Sequence, residues 1–264
     1  MKNKITLVIV FIIFGISCFW SELMSGDEAL LGWEKKEIEN FLRTAEILST
    51  EIAPQRGRTE AWMINLFDGK TACRGYFKHV DSARPTPIAD SYKYEIAAYE
   101  LDKLLEIDRV PPVVEREIEG INGSLQLYLE GCRPLSIQKR MNIEPPNSEY
   151  LQNSLDEINI FENLTYCEHD LSDVLIHMDS WKVCRVDFSQ AFSPAIQLIP
   201  EQTIKRCSKK LYNNLLHLTD SIIQDKLKHW LNPDEISAVL ERRKIILDTI
   251  TQLVKERGEE SVLF

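Results

Sequence analysis

The feature that most constrains the fold is a change of rhythm along the chain. From Ala61 to Leu129, short apolar runs of extended character alternate with turns and enclose one amphipathic helix; beyond Pro145-Pro146 the pattern is mostly helical. Ala61–Phe67 predicts a strand, Asp68-Gly69-Lys70 a tight hairpin turn, and Thr71–Val80 the returning strand. Pro85 and Pro87 break the chain before a helix over Ser91–Glu106, in which Ile96, Ala97, Leu101, Leu104 and Leu105 share a face and Ser91 caps the start. Val110–Ile118 and Ser124–Leu129 predict two further strands, with a turn at Ile121-Asn122-Gly123 between them. Upstream, Ile38, Phe41, Leu42, Ala45 and Leu48 recur at helical spacing and predict a helix over Trp33–Ser49. Downstream, a β-rich insert over Val174–Phe188 interrupts the helical part, and long helical stretches follow over Ile204–Trp230 and Pro233–Arg257.

This order predicts an α+β chain in two lobes. A small β-rich lobe with one long helix occupies 33–132, and a larger helical lobe occupies 133–264. With 44% hydrophobic and 27% charged residues in 264, the chain can bury a full core. Its formal charge of -10 argues against a nucleic-acid partner, which calls for a basic excess or stripe. The local basic groups, Arg56/Arg58 and Arg242-Arg243-Lys244, read as solvated faces or ion pairs.

The first 20 residues stand apart. Lys2 and Lys4 precede an apolar run from Ile5 to Phe14, the pattern of a signal sequence or membrane anchor, short for a transmembrane span. Cleavage, retention as an anchor and lipid attachment at Cys18 are three fates open to it. Each places the rest of the chain outside the cytoplasm, tethered to a membrane or secreted. The remaining cysteines, Cys73, Cys132, Cys167, Cys184 and Cys207, form no CxxC pair and so no zinc pattern; most are expected to be buried free thiols.

A chain laid out in this way matches the protein-kinase-like fold, and phosphoryl transfer from ATP needs few protein groups. They are a cation on the phosphates, a carboxylate orienting it, ligands for a divalent metal, and a residue that positions the nucleophile. Lys78 lies in the return strand of the first hairpin and Glu95 in the first turns of the helix that follows. Asp187 ends the strand-like run Trp181–Val186 and precedes Phe188-Ser189, where a metal-binding acid would stand. Between Tyr166 and Ile176 lies an acid-rich stretch carrying His169. His169 with Glu168, Asp170 and Asp173 also suggests a metal or acid-base set, but no second histidine has matching ligand spacing.

Tyr92–Leu105, Arg109–Val114 and Gly123–Tyr128 resemble the bacterial kinase-like proteins related to the secreted Golgi kinases of the four-jointed type, and, more distantly, HipA-like and phosphatidylinositol 3- and 4-kinase-like enzymes. The likeness runs from about Asn40 to the end and includes Trp181–Phe192, Arg242–Ile246 and Gly258–Phe264. It implies a nucleotide site for ATP with Mg²⁺ or Mn²⁺, and a protein or glycan hydroxyl as acceptor. Lys78 then binds phosphate with Glu95 as its ion-pair partner, and Asp187 binds metal. Glu130 to Cys132 form the hinge beside adenine, and Gly57 to Thr59 the turn over the nucleotide.

The catalytic loop departs from the family's form, Asn-x-Asp-Arg-x-x-Gly-Asn, since Tyr166–Ile176 contains neither Asp-Arg nor Asn. If Asp173 takes the metal-binding Asn position, Glu168 stands at the catalytic acid. An ungapped alternative puts His169 there and Val174 at the metal ligand, and Asp170 is a third candidate. Two readings therefore stand side by side: an active atypical kinase, and an inactive pseudokinase serving as a binding or regulatory module at the cell envelope.

Overall fold

A computed structural model of the chain describes residue 30 and residues 33–53, 60–82 and 89–264. The leader with Cys18, and the turn containing Gly57 and Thr59, lie outside the described residues. No helix among the described residues is long and apolar enough to cross a membrane.

The first lobe is built on an antiparallel five-stranded sheet. Its strands are β1 (Glu46–Ile52), β2 (Ala61–Phe67), β3 (Ala72–Lys78), β6 (Val113–Ile118) and β7 (Ile121–Leu127), in the spatial order β1-β2-β3-β7-β6. Two short strands, β4 (Asp81–Ser82) and β5 (Asp90–Ser91), pair with each other at the foot of the long helix. The inward residues Ile64, Leu66, Phe77, Leu125 and Leu127 form one core with Phe41 and Leu42 of α1 (Lys35–Thr44). Arg116 on β6 locks α1 in place by donating to the Leu42 and Ala45 carbonyls at 2.7 and 2.6 Å, satisfying acceptors that a helix end leaves open.

The helix expected over Trp33–Ser49 is two elements. It ends at Thr44, Ala45 leaves helical geometry (φ -58, ψ 144), and Glu46–Ile52 becomes the edge strand β1 against β2. Helical spacing up to Leu48 competes there with six residues of ladder pairing, Leu48 itself falling at a register shift, and the tertiary pairing wins. The turn expected at Ile121-Asn122-Gly123 falls two residues earlier. Glu119 and Gly120 have φ of 54 and 79, the backbone of a two-residue hairpin loop, and Ile121 already belongs to β7.

Helix α2 (Tyr92–Leu105) begins where Ser91 Oγ accepts the Lys93 amide at 3.2 Å. It is buried around most of its circumference because it packs on the sheet on one side and on the helices of the second lobe on the other. The second lobe holds α3 (Leu135–Arg140), α4 (Ser148–Thr165), α5 (Lys209–His217), α6 (Asp220–Leu227), α7 (Pro233–Arg257) and α8 (Glu259–Val262). The single helical stretch read over Ile204–Trp230 is α5 and α6, broken at Leu218-Thr219, where Thr219 caps the second helix. The β-rich insert is β9 (Val174–His177) and β10 (Val183–Arg185), which pair with β8 (Cys132–Pro134) in a three-stranded sheet. Cys73, Cys167, Cys184 and Cys207 are buried, Cys132 is half-buried, and none of the five is in a disulfide.

Gly123 is the residue of β7 that lets the strand close on β3. A Cβ there would lie 2.5 Å from the Phe77 ring and closer still to the Lys78 carbonyl. Gly123→Ala is expected to cost about 1–3 kcal/mol of stability through overpacking. The measurement is urea denaturation, read as a lower midpoint at unchanged slope. An unaltered midpoint would show that the two strands have slack the structure does not display.

Candidate active site

Strand β3 ends at Lys78, which lies opposite Ser124 in the β3–β7 ladder and projects toward the N-terminal turn of α2. Its ammonium is 2.5 Å from Glu95 Oε1 and 2.7 Å from Asp187 Oδ1, with only 17% of the side chain exposed. Glu95, 4% exposed, uses its second oxygen to accept the Phe188 amide at 3.1 Å. A second link, Ser91 N to Ser189 O at 2.8 Å, fastens the start of α2 to the same segment. Lysine, glutamate and aspartate are thus brought together from three elements distant in sequence. Burial works against the Lys78 charge, but Glu95 and Asp187 outweigh it and hold the ammonium protonated well above its usual range. Burial likewise raises Asp187, yet Lys78 brings its carboxyl below the usual range.

Asp187 has a left-handed backbone (φ 65), a conformation costly for a residue with a Cβ. Its carbonyl is held by the Cys167 thiol at 3.8 Å and by Arg185 Nη1 at 3.5 Å. Ser189, standing where the kinase pattern has glycine, donates its hydroxyl to Asp187 Oδ1 at 3.2 Å.

Arg185 is a site residue that sequence reasoning missed. It is buried two positions before Asp187, donates Nε to Glu162 Oε1 at 2.7 Å and Nη2 to the Glu168 carbonyl at 3.1 Å, bonds the Val186 carbonyl, and lies 3.5 Å from Asp173 Oδ2. Glu162, fully buried on α4, was missed as well; its other oxygen faces His169 Nδ1 and Gln202 Nε2, each at 2.8 Å. The available signal was a charged residue inside the apolar run Val183–Val186, which demands a buried counter-charge.

Asp173 approaches the Lys78 centre through Arg185, and its own carbonyl accepts the Val186 amide at 2.9 Å. Its carboxyl is pushed up to about 7, by burial first; Arg185 opposes the shift, and the carboxylates of Asp187 and Asp170 add to it. Glu168 and Asp170 are exposed on the loop, and Asp170 Oδ1 accepts the Ser172 amide at 2.7 Å. Glu130 stands at the junction between β7 and β8, but its carboxylate is engaged in a two-point pair with Arg74 (2.6 and 2.5 Å) whose guanidinium stacks on Tyr128. Only its backbone is left to face a base. Cys132 opens β8 opposite His177.

The donor set fits a divalent ion held in part by its substrate. Asp173 and Asp187 offer two hard carboxylate oxygens, within electrostatic reach of each other, that could hold such an ion. No group of three or more metal-ligating side chains occurs among the described residues, so phosphate oxygens and water would complete the shell.

No protein-family model matches the sequence, and no curated protein sequence matches it. Solved structures do. The chain is similar to a hydra Fam20 protein solved with sugar (TM-score 0.64, 18% identity, 87% of this chain and 91% of that one). It is also similar to the Helicobacter pylori proinflammatory kinase CtkA (TM-score 0.50, 10% identity, 83% and 98% of the two chains). The fold is protein-kinase-like, with an antiparallel first lobe and a helical second.

The Asp173 shift carries a stability signature. With the folded-state value near 7, above the ordinary 3.8, the stabilisation due to its neutral form is complete below the lower value and is lost as pH rises through the upper. Asp173→Asn is expected to melt above the wild type at about pH 8 and to flatten the decline across the neutral range. Thermal unfolding at a series of pH values measures this, and a variant that melts lower throughout would contradict the burial cause. Lys78→Met, which strands Glu95 without its counter-charge, is expected to cost about 3 kcal/mol, read by the same denaturation.

Proposed function

We propose that the chain is an atypical kinase that uses ATP with Mg²⁺ or Mn²⁺ to phosphorylate a hydroxyl of a protein or glycan. The observation that carries this reading is Lys78 Nζ set between Glu95 and Asp187, which yields a charge-fixed ammonium beside a metal-competent carboxylate. In the site, Lys78 meets phosphate oxygens while Glu95 keeps it in place from α2. Asp187 and Asp173 hold the divalent ion, whose chemistry is to neutralise charge on the phosphates. The backbone of Glu130 to Cys132 borders the base, and Glu168 or Asp170 lies on the loop where an acceptor hydroxyl arrives. The hydra Fam20 protein was solved with sugar, which supports a glycan hydroxyl as acceptor. The apolar leader supports a location outside the cytoplasm, tethered to a membrane or secreted.

A second reading, a pseudokinase acting as a binding or regulatory module at the envelope, is favoured by the loop itself. Asp173 leans on Arg185 and its carboxyl is pushed up to about 7 by burial, and Asp170 uses an oxygen on its own turn.

Calorimetry of the purified full chain with ATP, with and without Mg²⁺ or Mn²⁺, separates these from a fold without a nucleotide site. Metal-dependent binding is expected, weakened roughly 10- to 100-fold in Lys78→Ala and Asp187→Ala, the worth of one or two charged hydrogen bonds. A folded wild-type chain that binds no nucleotide under either condition would rule the kinase reading out.

A further inference from the structure

The altered loop contains an arrangement the family's pattern does not describe. His169 sits in the loop with 34% of its side chain exposed, and its Nδ1 is 2.8 Å from Glu162 Oε2, a carboxylate with no solvent exposure. Glu162 also accepts Arg185 Nε on Oε1 and Gln202 Nε2 on Oε2, so both its oxygens act as acceptors and the imidazole is the donor in the shared bond. That puts a proton on Nδ1, and in the neutral ring Nε2 then carries the lone pair; no hydrogen bond of Nε2 occurs among the described residues. The His169 backbone is held too, its amide donating to Gln202 Oε1 at 3.1 Å. The ring is therefore oriented by buried Glu162 and the main chain by half-buried Gln202, which itself donates to Glu162.

We propose that His169 is the residue that accepts the proton of the acceptor hydroxyl, with Glu162 as the positioning carboxylate behind it. The proposal rests on the kinase reading above and replaces Glu168 and Asp170 in that role. The loop is joined to the phosphate side of the site by Arg185, which binds the Glu168 carbonyl next to His169 and the Asp187 carbonyl. In the step, the acceptor oxygen forms a bond to the γ-phosphorus as the bond from that phosphorus to the β–γ bridging oxygen breaks. The hydroxyl proton passes to His169 Nε2, and ADP leaves with the electron pair of the broken bond. The imidazolium so formed faces the Glu162 carboxylate, as a buried acid steadies the histidine of a hydrolytic triad. The charged groups around the ring are Glu162 of α4, Arg185 of β10 on that carboxylate's other oxygen, and Glu168 and Asp170 of the loop.

Two measurements on the full chain test this. Nitrogen NMR of the histidine rings, with the His169 signals identified by their loss in His169→Asn, is expected to show Nδ1 protonated and Nε2 bare in the nucleotide-free protein. Hydrolysis of Mn²⁺–ATP, with water as the acceptor, is expected to fall at least about 100-fold in His169→Asn while Mn²⁺–ATP affinity stays within about threefold. An Nε2-protonated ring overturns the proposal. So does a His169→Asn protein that turns over like the wild type, or a wild type that binds Mn²⁺–ATP tightly and never turns it over; both leave the nucleotide site standing. A wild type that fails to bind the nucleotide overturns the kinase reading and this proposal together.

Discussion

An ammonium removed from water must be met by charge, and the structure depends on how that demand is met at Lys78. One lysine is held between two carboxylates that arrive from α2 and from the segment after β10, so the sheet, the long helix and the second lobe share a single electrostatic contact. The local charge is one negative in excess, before Asp173 is counted. A site in that state favours a further cation, which is the electrostatic preparation a metal–phosphate ligand needs. Glu95 reinforces the join by spending both oxygens, one on Lys78 and one on the Phe188 amide. Its position within the first turn of α2 also suits a carboxylate, since the helix dipole stabilises negative charge there.

A second centre lies around Glu162. Three donors converge on this buried carboxylate, and one of them, Arg185, reaches onward to the backbone of both the loop and the Asp187 segment. The loop itself, Tyr166–Ile176, contains no arginine, and a guanidinium enters it from the adjoining strand, so Glu168-His169-Asp170 is steadied by a cation supplied from outside the loop.

Much of this was legible because its signals are local. The hairpin of β2 and β3 is announced by Asp68-Gly69 and α2 by its cap and apolar spacing, whereas Lys78, Glu95 and Asp187 stood out only through the family resemblance, and the structure brings the three side chains together. What escaped depends on partners far away in sequence. Strand β1 exists because β2 offers it an edge, and the helical spacing of its residues points the other way. The Arg185–Glu162 pair joins residues 23 apart, and nothing local to either names the other. Glu130 shows the same limit from the opposite side: its place in the chain was read, but its carboxylate is occupied by Arg74, 56 residues away.

The two centres meet in one residue. The Asp187 side chain belongs to Lys78 and Ser189, while its carbonyl belongs to Arg185 and Cys167. A left-handed backbone at a residue with a Cβ costs roughly 1–2 kcal/mol, and it persists here because it is fixed from both sides at once. Arg185 and Cys167 contribute by staying as they are: the guanidinium is protonated and buried, and burial pushes the Cys167 thiol up to about 12, so it remains a neutral donor across the physiological range. With neither group able to change charge, the orientation of the Asp187 carboxylate does not follow pH, and the titrating partner in the site is left to be Asp173 alone among the acids whose shift is upward there. The Lys78 centre is in this way rigid on its Asp187 side, and responsive to protons on its loop side through Asp173.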